Sequence, residues 1–231
     1  MENVKILGVS GSPRKDGNTA KMVQRALEGA QSVTGIETDL YQLAGKKINY
    51  CISCYKCLEK GECVFDDDLN DFLREYLNAD GIIWGAPVYH MSVPASMKAL
   101  LDRLSNLIIC HYLWRGESVP RFSKVCGVVT NGAHRYGGQE LALSFLTGSS
   151  LMLNSVVVSG DTLMGCYIGA AGHSGQGTEP FGKDNILNDA EGLMCAENLG
   201  KRVAEMARIV KAGMFALKQE LPGEYSYTWE A

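Results

Sequence analysis

Short apolar segments that alternate with amphipathic ones constrain the fold of this chain more than any other feature. Five segments have the length and composition of strands: 5–10, 37–43, 81–87, 124–132 and 155–159. Five others repeat apolar residues at helical spacing: 19–30, 67–77, 94–109, 139–152 and 189–211. Short strands separated by helices are typical of a parallel sheet that is covered on both faces. The sequence therefore predicts an α/β fold built on a five-stranded, doubly wound parallel sheet with helices on both faces.

Length and composition bound the domain organisation and the surroundings of the protein. Its 231 residues are expected to form a single domain, 1–231, whose glycine-rich segment 160–188 is predicted to be a long functional or interfacial loop. No stretch approaches the ~20 apolar residues of a membrane span, and the first apolar run suits a strand better than a signal peptide. A cytoplasmic protein with reduced thiols is therefore expected, without a membrane partner. The net charge of −4, without a basic run, also argues against nucleic acid as a partner.

The loop after the first predicted strand, SGSPRKDGNT at 10–19, has the composition of an anion site. It places Ser10, Ser12, Asn18 and Thr19 around a turn that opens a helix, where backbone N–H groups and the helix dipole attract phosphate. Arg14 adds a cation for a charge-assisted contact. An ordinary turn with a capping residue is the alternative. Ligands of such folds bind at this carboxyl edge of the sheet.

Two further loops follow strands at the same predicted edge. Pro87, Val88 and Tyr89 offer an apolar wall for a flat cofactor, while Gly137 and Gly138 permit close backbone approach to a ligand. Plain connectors remain the alternative for both loops. The neighbouring His90 suits a ligand or a base, although a single loop histidine is more often neither.

The three loops together carry a family resemblance. SGSPRKDGNT, GAPVYHMSVPASMKALLDR and NGAHRYGGQE resemble the NADPH-dependent FMN reductase superfamily, which has the flavodoxin-like fold. With CISCYKCLEKGEC added, the chain resembles the iron–sulfur flavoproteins of anaerobic archaea and bacteria. The resemblance extends from residue 5 to about residue 211 and is weakest over 160–188. It implies FMN, and it implies a homo-oligomer, a dimer or tetramer, with its cofactors near subunit interfaces.

The resemblance also implies which residues contact FMN. The phosphate would be held by Ser10, Ser12, Pro13, Arg14, Gly17, Asn18 and Thr19. The isoalloxazine ring would be flanked by Pro87, Val88, Tyr89 and His90 on one side and by Asn131, Gly132, Gly137 and Gly138 on the other.

Four cysteines lie close together in the segment 49–65, with the spacing C-x2-C-x2-C-x5-C. They are Cys51, Cys54, Cys57 and Cys63. The spacing differs from the bacterial ferredoxin motif, whose fourth cysteine serves another cluster, and from the paired cysteines of most zinc sites. We predict that all four bind one [4Fe–4S] cluster. Zinc and unligated redox-active thiols are the alternatives, and the expected compartment disfavours disulfides.

The other four cysteines are scattered through apolar stretches. Cys110, Cys126, Cys166 and Cys195 are expected to be buried free thiols that pack as small hydrophobes.

Three functions are compatible with these sites. The sequence favours an oxidoreductase or electron-transfer protein that passes electrons from a ferredoxin-like donor through [4Fe–4S] and FMN to a small-molecule acceptor. The first alternative is an NAD(P)H-dependent flavin or quinone reductase, with NAD(P)H as co-substrate. The second is a zinc-binding or oxidant-sensing protein without turnover. No catalytic side chain is predicted, because the cofactors carry the chemistry.

Overall fold

A computed structural model describes residues 3–160, 165–175 and 182–225 and shows one parallel sheet at the centre of the chain. Its long strands are β1 (Val4–Ser10), β2 (Ile36–Gln42), β3 (Gly81–Pro87) and β4 (Val125–Gly132), in the order β2-β1-β3-β4. Every one of these pairings is parallel. The predicted flavodoxin-like α/β fold is confirmed.

Two short strands share the fifth position of the sheet. β5 (Val156–Val157) pairs with the beginning of β4, and β6 (Ala170–His173) pairs with its end. The sequence predicts the first of these, as 155–159, but misses β6. β6 has the sequence AAGH, and alanine and glycine are depleted in strands, so composition gave no signal. β6 belongs to the predicted loop 160–188, of which 161–164 and 176–181 lie outside the described residues.

Seven α-helices are present in the described part of the chain. They are α1 (Asn18–Gln31), α2 (Lys56–Lys60), α3 (Leu69–Asn78), α4 (Ala95–Ser105), α5 (His111–Trp114), α6 (Gln139–Met152) and α7 (Ala190–Ala216). A π-helical turn over Asn106–Cys110 joins α4 to α5. Short 3-10 turns occupy Asn185–Asn188 and Gly223–Tyr225. All five predicted helices are therefore found, whereas the short helices α2 and α5 were not predicted. None of the described helices combines the length and apolar character that a membrane crossing requires.

The two faces of the sheet carry separate hydrophobic layers. On one face α1 and α7 pack with side chains such as Met22, Leu27 and Val203 against the sheet. On the other face α3, α4 and α6 enclose an aromatic group that includes Phe72 and Trp84. Burial of apolar surface on both sides explains why β3 and β4 are buried along their whole length.

The expectation of four free thiols outside the segment 49–65 was wrong for one pair. Cys166 and Cys195 are joined by a disulfide, because the segment before β6 packs against α7. Cys126 is a buried free thiol in β4, as expected, and Cys110 is half-buried and free.

The parallel arrangement brings the candidate loops to one edge. β1, β3, β4 and β6 end at Ser10, Pro87, Gly132 and His173, and the pairing register places these ends beside one another. The segment after β2, which carries the four clustered cysteines, leaves the sheet at the same edge.

Candidate functional site

The loop 11–17 ends at the amino terminus of α1. Gly17 is the residue before the helix, and no side chain caps the first turn. Asp16 is held by a residue outside this loop, because its backbone N–H donates to Oε1 of Gln42 at 2.9 Å. The uncapped N–H groups and the helix dipole make this terminus suitable for an anion. Within the loop, Ser12 is buried and its Oγ accepts from the Arg14 N–H at 3.1 Å, while Pro13 and Arg14 are exposed.

Ser10 provides a second sign of a ligand at this loop. Its side chain is fully buried at the end of β1, and its Oγ has no hydrogen-bond partner among the described residues. A buried polar atom without a partner costs roughly 1–3 kcal/mol. A phosphate oxygen at the α1 terminus would remove this cost, so the donor set fits the phosphate of FMN.

Asn18 and Thr19 are already engaged within the protein. Thr19 Oγ1 donates to Oδ1 of Asn131 at 2.6 Å and ties α1 to the end of β4. The side-chain amide of Asn18 donates to the Gly182 carbonyl at 3.0 Å and accepts from the Ile186 N–H at 3.1 Å. These side chains hold the surrounding segments together, which leaves their backbone N–H groups as the atoms suited to phosphate. Their direct roles toward FMN stay predictions.

A tight turn follows β3 and forms one wall of the edge. Tyr89 and Ser92 exchange two backbone hydrogen bonds of 2.9 Å, and the central residues His90 and Met91 have φ of 46° and 65°. Positive φ at both positions defines a type I′ geometry, which non-glycine residues adopt rarely. The Val88 N–H donates to the Asn131 carbonyl at 2.9 Å and fixes this turn against β4.

The loop 133–138 lies against this turn. Gly138 has φ of 103°, and a Cβ added there would lie 3.0 Å from Sδ of Met91. The structure therefore brings the two predicted ring-flanking loops into contact at the carboxyl edge. Pro87 and Asn131 are neighbours in the β3–β4 register, and Gly132 ends β4 beside them. Whether these residues contact a flavin stays a prediction.

Two further residues shape this wall, and the sequence did not single them out. Gln139 is buried, its Oε1 accepts from the Gly137 N–H at 2.8 Å, and its Nε2 donates to the His134 carbonyl at 2.5 Å. His173 is buried at the end of β6, and its Nε2 lies 2.9 Å from Nη2 of Arg135. Gln139 follows the glycine pair directly in NGAHRYGGQE, which was its only signal, whereas His173 had none because β6 was missed.

The four clustered cysteines line a single cavity. Cys51, Cys54, Cys57 and Cys63 share it with Phe65 and Arg103 among other residues. Left-handed backbone at Ser53 and Tyr55 turns the chain between successive thiols, and Gly61, with φ of 70°, ends α2 before the last one. The predicted grouping of the four thiols thus has a structural counterpart.

The thiols also interact electrostatically. Burial and the neighbouring thiol of Cys63 raise the pKa of Cys57, with further contributions from Cys54 and Cys51. Repulsion between thiolates would be relieved by a metal centre, because metal ligation requires the deprotonated form. No three His, Cys, Asp or Glu side chains of the described residues converge on a point that could hold a metal ion. All four cysteines nevertheless line the same cavity.

Comparison with protein families identifies the class of protein. The family model for NADPH-dependent FMN reductases matches residues 4–167, which include all three candidate loops and the cysteine segment. A WrbA-like flavodoxin from Agrobacterium tumefaciens has a similar fold, with a TM-score of 0.58, 20% identity and coverage of 90% of this chain and 99% of that one. The chain is an FMN-dependent oxidoreductase.

Individual relatives narrow the assignment. An iron–sulfur flavoprotein of Methanocaldococcus jannaschii is 39% identical over 208 residues, which cover 90% of this chain and 100% of the relative. One from Archaeoglobus fulgidus is 34% identical over 202 residues, with coverage of 87% and 96%. This chain belongs to the iron–sulfur flavoprotein family within the NADPH-dependent FMN reductases.

Proposed function

We propose that this protein binds FMN and one [4Fe–4S] cluster and passes electrons between a ferredoxin-like one-electron donor and a small-molecule acceptor. The observation that carries the proposal is the single cavity lined by all four cysteines, in a chain that is an FMN-dependent oxidoreductase. Zinc would draw four sulfurs to about 2.3 Å from one point, whereas a four-iron cluster takes one thiolate at each iron. Thiols spread around a cavity therefore suit the cluster better.

The roles of the chain's own residues follow from the geometry. The uncapped terminus of α1 and the unpartnered Ser10 hydroxyl bind the FMN phosphate. The isoalloxazine ring lies against the turn at Tyr89 and the loop at Gly138, which meet at the carboxyl edge. Cys51, Cys54, Cys57 and Cys63 ligate the cluster. When bound, the cluster supplies one-electron transfer and FMN supplies exchange between one- and two-electron steps.

The arrangement of the sheet supports electron transfer between the two sites. In the strand order β2-β1-β3-β4, the cysteine segment follows β2 and the loop 11–17 follows β1. The two loops proposed to flank the ring follow β3 and β4, on the other side of the loop 11–17. Both cofactors would therefore be bound at the same edge. Ligation of the cluster requires the four clustered cysteines to be reduced, and all four are free thiols, which suits the reducing cytoplasm although a disulfide joins Cys166 and Cys195 elsewhere in the chain.

An exposed apolar surface supports a homo-oligomer, a dimer or tetramer. Ile52, Tyr55 and Val64 line the cysteine cavity and are exposed, and Tyr50 beside them is 75% exposed. Contiguous exposed apolar groups often mark an interface. A second subunit seated there would shield the cluster from solvent.

The alternative function is an NAD(P)H-dependent flavin or quinone reductase, in which a hydride reaches FMN directly. The NADPH-dependent family favours it, as does the exposure of Tyr89 and Met91, which leaves the ring-flanking turn open to a second ligand.

Anaerobic purification followed by iron, acid-labile sulfide and flavin analysis tests the proposal. We expect iron and sulfide in the ratio of one [4Fe–4S] cluster per FMN, and faster reduction by reduced ferredoxin than by NADPH. FMN without iron, or stoichiometric zinc, would contradict the cluster. Faster reduction by NADPH would favour the alternative donor.

A further inference from the structure

Arg103 lies beside the cysteine cavity and is absent from the sites that the sequence predicts. It is the last basic residue of α4, its side chain is only 2% exposed, and it lines the cavity together with the four thiols. Its guanidinium also lies over the Phe65 ring, 5.4 Å from the centroid. A charged side chain this deeply buried requires compensating partners.

A bidentate ion pair with Asp67 supplies the main partner. Nη1 of Arg103 lies 2.7 Å from Oδ2 of Asp67, and Nη2 lies 3.0 Å from Oδ1. Nη1 also donates to the Asn49 carbonyl at 3.0 Å, and Asp67 in turn accepts from the Asn49 backbone N–H at 2.9 Å. Asn49 precedes the first cysteine and Asp67 follows the last one. One guanidinium on α4 therefore fixes both ends of the segment that carries the thiols.

Arg103 and Cys63 line the same cavity. Burial opposes the charge of Arg103, but Asp67 and the Cys63 sulfur favour it and together raise its pKa. Nε of Arg103 is buried and has no hydrogen-bond partner among the described residues. The side chain thus has a donor to spare beside a sulfur that would be a thiolate in the ligated state.

We propose that Arg103 sets the reduction potential of the cluster by presenting its cation and its N–H donors to the Cys63 sulfur, while its pairing with Asp67 closes the cysteine segment. Net charge and hydrogen bonds to sulfur are among the factors that set the potential of iron–sulfur clusters. The inference depends on the proposed function, because it requires the cluster to be bound.

Two substitutions separate electrostatic control from loop closure. Arg103→Met removes a positive charge and leaves the Asp67 carboxylate near the cluster, so the potential is expected to become more negative. Asp67→Asn removes the negative charge and leaves Arg103, so the potential is expected to become more positive. Each potential is measured by anaerobic redox titration of the holoprotein. A role limited to closure predicts shifts of the same sign in both variants, or no shift.

Exposed residues of α3 provide matched controls. Arg74 and Asp71 form an ion pair in which both side chains are more than half exposed. Arg74→Met and Asp71→Asn make the same charge changes outside the cavity, and we expect the potential to stay as in the wild type. If these controls shift it as much as the cavity variants, the inference is overturned.

Loop closure is tested on protein without metal. In anaerobic, metal-free protein, thiol labelling is expected to be faster in Arg103→Met and Asp67→Asn than in the wild type and both controls. If Arg103→Met does not retain a cluster, Arg103→Lys is used in its place. Lysine keeps the positive charge but has a single ammonium group instead of a guanidinium. Its thiols should therefore be labelled faster than those of the wild type, and its potential should shift less than loss of the charge would shift it. Equal labelling rates in all variants would overturn this inference alone. So would cluster potentials that do not shift in opposite directions in the two cavity variants, provided that the wild type contains iron. A wild type without iron overturns the proposed function.

Discussion

Single side chains hold the candidate flavin site together through contacts that are not themselves visible in the sequence. Thr19 links the start of α1 to the end of β4 by its 2.6 Å hydrogen bond to Asn131. Both residues are buried; Thr19 lies in the first turn of α1, and Asn131 lies near the end of β4. The bond therefore couples the loop 11–17, which is predicted to hold the phosphate, to the loop after β4, which is predicted to flank the ring.

Thr19→Val is expected to weaken FMN binding about tenfold. Valine preserves the volume but removes the bond that holds α1 against β4, so ordering these segments, which that bond supports by about 1–3 kcal/mol, becomes a cost of binding FMN, and 1.4 kcal/mol corresponds to tenfold in Kd. Titration of the flavin-free protein with FMN measures the change. Thr34→Val, at an exposed position on the opposite end of the sheet, is the control and should bind like the wild type. Unchanged affinity in Thr19→Val would remove this role.

Lys124 is a buried cation directly before β4, at the amino edge of the sheet, opposite the carboxyl edge that carries the candidate loops. Its Nζ donates to the carbonyl oxygens of Leu77 and Ala79 at the end of α3. Burial lowers the pKa of Lys124 from 10.5 to about 8, although Asp80 and Cys126 oppose this shift. Between these two pH values the unfolded chain binds the proton more strongly than the folded chain does.

Lys124 is therefore expected to contribute a rise in the free energy of unfolding with pH across this interval, which the buried Cys126 thiol opposes above about pH 9 because burial raises its pKa. For one proton the gain from pH 8 to pH 10 is about 2 kcal/mol. Urea unfolding at several pH values measures it, with pH 10 as the upper limit because burial also raises the pKa of Tyr76. Lys124→Met should lose this contribution relative to the wild type, whereas Lys201→Met, at an exposed position of α7, should keep the wild-type dependence. The same pH dependence in the wild type and in Lys124→Met would refute the assignment.

At the scale of elements, the pair of helices on one face of the sheet positions the phosphate loop. α1 and α7 approach until their backbones touch at two glycines: a Cβ on Gly200 would overlap the Ala26 carbonyl, and one on Gly29 would overlap the Glu197 carbonyl. Glycine is required here by the close approach of two helices. The orientation of α1, and with it the direction of its amino terminus, depends on this contact.

Gly200→Ala is expected to destabilise the protein by about 3 kcal/mol, because the added methyl group overpacks a backbone contact. Gly213→Ala lies in the same helix, but its added Cβ meets nothing within 4 Å. This control should leave stability unchanged or raise it by up to about 1 kcal/mol, since alanine favours helix. Thermal or urea unfolding of both variants measures the difference. Equal stability of the two variants would show that the helices adjust without cost.

At the scale of the whole molecule, the sequence predicts the parts of the fold that depend on local pattern. Helical and strand periodicity is sufficient for the sheet and the five long helices, and the motifs locate the candidate loops. The contacts that join distant segments are not predictable in this way. β6 lacks strand composition, and the Arg103–Asp67 pair and the Cys166–Cys195 disulfide join residues that are far apart in sequence. These features depend on tertiary packing rather than on local propensity.

The site follows the same division. The spacing of the four cysteines predicts their grouping in one cavity, which the structure shows. The positive charge at this cavity is that of Arg103 in α4. The apolar periodicity of the sequence predicts this helix but gives no sign of the role of its arginine. Residue-by-residue contacts with FMN stay predictions, because they depend on how four loops meet at one edge.

The most direct test of the central claim is the metal and flavin content of two cysteine variants purified anaerobically beside the wild type. Cys57→Ala removes one thiol from the cavity, whereas Cys110→Ala removes a free thiol that does not line it. The account predicts that Cys57→Ala loses cluster iron, labile sulfide and the cluster absorbance but keeps FMN, and that Cys110→Ala keeps both cofactors. A Cys57→Ala protein with the iron and sulfide content of the wild type would contradict it.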